Sequence, residues 1–290
     1  MIKHHKLYPF VLIAAATVLI GMSGPIAKFM DLNPPFVIWA RCLFGFITLS
    51  FINFFSSSKS AQLPLRDWQI IKTGILMCLH WVLFFYSIQL GTVAVAIVSV
   101  FTYPLQSIIL EFFISKQTID RTYIITSLFV ILGVYVLSPD FSIAQNQTWG
   151  LIFGLLSGFS LALRNIFSRV LMDKYSANKV HVSQVLVSGI LLFPFAWSES
   201  FENITIHIVP LASLGIFTTA IGHLLLMKSL QYFTASEVGL LNGSQPVAAI
   251  VIAFFLVDEV PSTHVLIGSS IILFAVLFAV YNISRKGIEL

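Results

Sequence analysis

The chain is a succession of long apolar runs with very little between them. Ten can be traced, at residues 8–29, 34–55, 70–89, 93–114, 123–138, 148–171, 180–197, 208–231, 235–257 and 264–283. About 20 apolar residues of helix cross the hydrocarbon core of a bilayer, where backbone polar groups must bond within the protein. The reading is therefore an all-α integral membrane protein with ten transmembrane helices. No link is long enough for a soluble domain. Charged residues make up only 10% of the sequence, against roughly a quarter in soluble domains. The first run follows basic residues as a signal peptide would. It extends too far for one and lacks a small-x-small cleavage site, so it is read as a retained first span.

The sidedness of charge sets the orientation. Lys and Arg gather in short cytoplasmic loops. With the N-terminus inside, the inner segments hold Lys3, Lys6, Lys59, Arg66, Lys72, Lys116, Arg121, Arg169, Lys174, Lys179, Arg285 and Lys286. The outer loops hold Asp31, Asp140, Glu199, Glu202, Asp258 and Glu259, with no Lys or Arg. This predicts an even number of crossings and both termini cytoplasmic, in a bacterial inner or plasma membrane. The net charge of +4 thus marks a membrane face. The bilayer is the implied partner, and nucleic acid is not. Cys42 and Cys78 have no partner at ligand spacing, so no metal is expected.

The sequence also repeats. Shifted by 142 residues, YSIQLGTVAVAIVSVFTYPLQSIILEFFIS (86–115) lies on KSLQYFTASEVGLLNGSQPVAAIVIAFFLV (228–257) without a gap. Gln89 meets Gln231 and Pro104 meets Pro246. The predicted division is a first five-helix repeat, 1–142, and a second, 143–290. Five is odd, so the second repeat must cross in the opposite sense. Inverted repeats of this kind mark secondary transporters, with a site near the midplane.

Pro104 and Pro246 each interrupt a helix ladder, the latter beside Asn242-Gly243-Ser244-Gln245. Irregular backbone in a membrane must face protein or a water-filled cavity. One reading is a break that lines a pathway, with Asn242 and Gln245 binding substrate and both prolines serving the gate. The other is a packing kink whose polar neighbours bond to adjacent helices.

Intramembrane ionisable residues are the next candidates. Arg41 has the planar fork for a carboxylate or phosphate, with snorkelling as the alternative. His80 and His223 fall near mid-span at matching depth, either binding substrate or bonding to a neighbouring helix. Trp81, Tyr86 and Tyr103 lie beside them and can wall a cargo. Glu111 and Glu237 are candidate gates or proton carriers. Arg164 and Lys228 are read as snorkelling, and Lys28 as paired with Asp31. Trp68, Trp149 and Trp197 sit at run ends as headgroup anchors. The runs 123–138 and 264–283 carry no charge and read as peripheral. Gly154-x-x-x-Gly158 and Gly239-x-x-x-Gly243 allow close helix approach, and a homodimer is left open.

The stretch PVAAIVIAFFLVDE (246–259) resembles the C-terminal signature of the drug/metabolite transporter superfamily, in its EamA-type ten-helix members. WARCLFG (39–45) is similar to the family's Arg-containing second helix, and the 5+5 duplication spans the chain. The first repeat departs in having Lys116-Gln117 opposite Asp258-Glu259. The resemblance implies carriers of small metabolites, often exporters. The chain has no Walker motif, no HExxH and no nucleophile elbow, and no cofactor is expected. The expected function is secondary transport of a small polar or amphipathic metabolite, such as an amino acid or amine. The alternatives are an intramembrane enzyme acting on lipid-linked substrates through Glu111, His80 or His223, and a non-transporting receptor or assembly factor.

Overall fold

A computed structural model describes residues 3–27, 30, 32–55, 63–91, 93–116, 118–137, 148–257 and 260–286. Among them every regular element is helical. The first part contains α1 (Lys3–Gly21), α2 (Ser23–Ala27), α3 (Pro34–Phe55), α4 (Trp68–Leu90), α5 (Val93–Val100), α6 (Tyr103–Ser115) and α7 (Arg121–Leu137). The second contains α8 (Thr148–Leu171), α9 (Ala177–Leu192), α10 (Phe201–Ile206), α11 (Ile208–Ser213), α12 (His223–Ser229), α13 (Ala235–Leu241), α14 (Gln245–Val257) and α15 (Thr263–Lys286). A π-helical stretch, Leu214–Gly222, joins α11 to α12.

Eight helical segments are long and apolar enough to cross a membrane. Arg121–Leu137 is apolar but shorter, at 17 residues, and Ala177–Leu192 has 16. Their ends follow local chemistry. Asp67 accepts a hydrogen bond from the Gln69 amide at 2.9 Å to start α4. Thr234 and Glu237 form a reciprocal capping box at the start of α13.

Each proline begins a new segment rather than kinking a continuous one. Pro104 follows a turn at Phe101–Thr102, and Pro246 follows the 3-10 turn Asn242–Ser244. In a first turn the missing N–H would have no partner anyway. Both prolines are buried in protein.

Three helix pairs organise the interior: α3 with α9, α4 with α8, and α1 with α12 and the π-helix. α6 crosses α13 nearby. α8 meets its neighbours along a face of small residues. A Cβ on Gly150 would fall 2.6 Å from the Gly91 Cα and 2.7 Å from its amide nitrogen. Because the obstacle is backbone, Gly150→Ala is expected to cost about 1–3 kcal/mol of overpacking, read as a lowered melting temperature of the purified protein in detergent.

α7 and α15 pack together, where a Cβ on Gly133 would meet the Gly268 carbonyl at 3.0 Å. Both turn large apolar side chains outward, among them Leu128, Leu132, Phe274 and Leu277. Trp68, Trp149 and Trp197 are all exposed. The expected Lys28–Asp31 pair and the Asp258–Glu259 motif end lie outside the described residues.

Candidate substrate site

The interior of the bundle holds a ring of polar and aromatic side chains drawn from α3, α4, α9, the π-helix and the start of α12. Arg41 on α3 is 6% exposed. Its Nε donates to Thr219 Oγ1 at 2.8 Å and its Nη2 to Thr218 Oγ1 at 3.1 Å. The guanidinium lies 4.6 Å from the Trp81 ring centroid. Trp81 stands 5.7 Å from the His223 ring, which stacks on His181 at 5.9 Å. His181 Nε2 closes the ring by donating to the Thr219 carbonyl at 2.7 Å.

The π-helix makes this arrangement possible. Its wider turn lets the His223 amide bond to the carbonyl of Thr218, five residues back. Adjacent threonines can then both serve Arg41, while the His223 ring also bonds to the Thr218 carbonyl. Gly45 admits this segment close to α3, since a Cβ there would stand 2.9 Å from Thr219 Cγ2.

A second arginine lies beside this ring. Arg164 on α8 is 1% exposed, so the expectation that it snorkels is overturned. Its Nε and Nη2 both donate to Gln184 Oε1, at 3.1 and 2.7 Å, and Nη1 donates to Asn165 Oδ1 at 3.2 Å. Gln184 in turn donates to Ser168 Oγ at 2.8 Å. Buried Gln184 on α9 supplied what the snorkelling reading lacked. Arg41 does not snorkel either, because Thr218 and Thr219 hold it inside.

The remaining candidates separate. His80 turns from Trp81 toward α8, with Nδ1 donating to the Ser157 carbonyl at 3.1 Å and Ser157 Oγ donating to the His80 carbonyl at 2.8 Å. Tyr103, Asn242 and Gln245 form a separate network where α6 meets α13. Asn242 Nδ2 donates to Tyr103 Oη and to Gln245 Oε1, each at 3.1 Å. Thr17 donates to Asn242 Oδ1 at 3.0 Å. Asn242→Leu strands these partners and is expected to cost about 1–3 kcal/mol, measurable by thermal unfolding.

Glu111 on α6 reaches the start of α13, accepting from the amides of Ala235 at 2.8 Å and Ser236 at 3.1 Å, and from the Ser236 hydroxyl. Glu237 accepts from Tyr123 Oη at 2.7 Å and from the Thr234 amide at 2.9 Å.

Two cavities lie at opposite ends of the bundle. One, of about 260 Å³, is lined by Asn33, Ile38, Val82, Phe85, Tyr86 and Gln89 among others. It stops about one helical turn from Arg41 and Trp81, because Ile38 and Phe85 lie three and four residues away along α3 and α4. The other, of about 320 Å³, is lined by Glu111, Ser115, Ile166, Arg169, Leu230 and Gln231 among others. Ile166 brings it within two residues of Arg164. Neither cavity is lined by Tyr103, Asn242 or Gln245.

A polytopic helical bundle with a buried polar site between opposed cavities is the architecture of a membrane carrier. The family model of the EamA-like transporters matches residues 7–138 and again 148–281, and the chain belongs to that family. It is a multi-pass membrane transporter. Similar proteins include the "S-adenosylmethionine uptake transporter" of Rickettsia bellii, 23% identical over 81% of this chain and 79% of that protein. The protein of that name in Rickettsia felis is 24% identical over 86% and 85%. The "Uncharacterized transporter YwfM" of Bacillus subtilis is 22% identical over 75% and 76%. A solved structure titled "Crystal structure of protein" superposes with a TM-score of 0.81 at 15% identity, covering 97% of this chain and 99% of that one. That likeness establishes the fold alone.

Proposed function

We propose that this chain is a secondary transporter that moves a small polar or amphipathic metabolite, an amino acid, an amine or a related compound, by alternating access. Ten crossings form two inverted repeats, residues 1–142 and 143–290, with both termini cytoplasmic. The two separate family matches support the duplication. The packing supports the inversion. α3 with α9, α6 with α13, and α7 with α15 each join a run to its own repeat partner, while α4–α8 and α1–α12 exchange with one another.

The observation that carries the reading is the position of Arg41, Trp81 and His223 between cavities that open at opposite ends. The cavity of about 260 Å³ is the outer vestibule, entered past Tyr86 and Gln89. The one of about 320 Å³ is the inner exit. Gln89 and Gln231, 142 positions apart, line one each. His80 holds α4 to α8 as the site is formed. Tyr103, Asn242, Gln245 and the two prolines form the crossing about which the halves tilt. Glu111 and Glu237 fasten the inner side.

The test is movement of radiolabelled compounds in proteoliposomes, in both directions. The panel is S-adenosylmethionine, amino acids, quaternary amines, nucleotides and sugar phosphates. The first reflects what the Rickettsia relatives are named for; whether this chain imports or exports is read from the same assay. Saturable movement of one class by wild type, lost in Arg41→Ala, is the expected result. No movement of any compound by folded, oriented protein contradicts the reading.

A further inference from the structure

Resting on the transporter reading above, we infer that the cargo bears an anionic group, a carboxylate or a phosphate, which docks between Arg41 and Arg164. The reason is an unbalanced charge. Both guanidinium groups are buried, at 6% and 1% exposure. Among the described residues all their hydrogen-bond partners are neutral: Thr218, Thr219, Gln184, Asn165 and the Met77 sulfur.

The acidic side chains among the described residues are committed or lie elsewhere. Glu111 and Glu237 hold the start of α13. Asp67 bonds to Tyr175, Asp120 to the Thr122 amide and Glu199 to Asn33. Asp173 and Glu202 are exposed at the surface.

A buried cation without a counter-ion is destabilising, and that cost is recovered when an anion joins it. Of the five N–H groups on a guanidinium, Arg41 spends two on the described residues. The rest are free for a bidentate carboxylate or phosphate, the geometry that Arg serves better than Lys. The Trp81 face behind the guanidinium fixes its plane.

His181 stands beside this site, fully buried, with its Nε2–H given to the Thr219 carbonyl and Gln184 as the side-chain neighbour of its other nitrogen.

The experiment uses the full chain in lipid nanodiscs and in proteoliposomes, with glutamate, inorganic phosphate and choline as probes. Thermal stabilisation and counterflow are read for wild type, Arg41→Gln and Arg164→Gln. The expected result is stabilisation by glutamate or phosphate and none by choline, with apparent affinity for the anion reduced at least tenfold in each variant. Glutamate against phosphate tells which anion chemistry the site takes. Circular dichroism and monodispersity identify a variant that has lost its fold, and the other arginine then carries the test. If choline stabilises and moves while the anions do not, the inference fails and the transporter reading stands. Anion affinity unchanged in both folded variants overturns the inference as well. If no probe binds or moves, and the wider panel is not moved either, both fail together.

Discussion

Arg41→Ala is expected to reduce the initial rate of transport by roughly 100-fold while leaving the protein folded. The substitution removes a charged fork facing the cargo, worth about 3 kcal/mol for hydrogen bonds to a charged group, and each 1.4 kcal/mol is a factor of ten. Folding should survive. Thr218 still donates to the Leu214 carbonyl at 2.7 Å, and α3 keeps its apolar packing through Ile38, Cys42 and Leu49. Arg41→Lys retains the charge but loses the fork and the stacking on Trp81, so an intermediate loss of about tenfold is expected. Equal rates for wild type and Arg41→Ala in proteoliposomes would remove Arg41 from the site.

Glu111→Ala is expected to release the inner side of the bundle. The carboxylate is 4% exposed and binds two amides and a hydroxyl at the start of α13, which also favours a negative charge through the helix dipole. Water reaching this end of the bundle can replace part of what is lost, leaving about 2–3 kcal/mol. If α6 and α13 part when the inner side opens, that energy favours the open form by roughly 30–150-fold. Gln231→Cys, which lines the inner cavity, should then react faster with a hydrophilic maleimide. An unchanged labelling rate, with the variant folded, would mean that the clasp is fixed in both states.

The apolar runs were legible because lipid leaves the backbone no alternative to internal bonding, and helix lies along the runs read from sequence. The breaks before α6 and α14 were legible too, since Pro104 and Pro246 announce them at matching positions, whereas the crossing of α6 and α13 was not. At the second break the polar groups bond to adjacent helices, as the packing alternative expects. Thr17, Tyr103 and Gln245 hold Asn242 within the protein.

Arg164 was misread because depth was judged from the end of its own run. The information lay in the neighbouring run, where His181, Gln184 and Ser188 recur at spacings of three and four. That places three polar groups on one face of α9, and such a face in an apolar helix must meet polar partners inside. His181 was open to the same reading. The π-helix had no such signal, because nothing in LGIFTTAIG departs from an ordinary apolar helix. What accompanies it is tertiary: close packing against α3 at Gly45 and the engagement of two successive threonines by Arg41.

The account turns on one site that is reached from either side of the membrane in turn. Gln89→Cys and Gln231→Cys, singly introduced, report on the two cavities. Cys42 and Cys78 are buried and give a low background. Modification by an impermeant maleimide, added from each side with and without a transported substrate, is the direct measurement. The account predicts that substrate changes the two rates in opposite directions. Rates that rise or fall together, or that ignore a substrate the protein demonstrably carries, would contradict it.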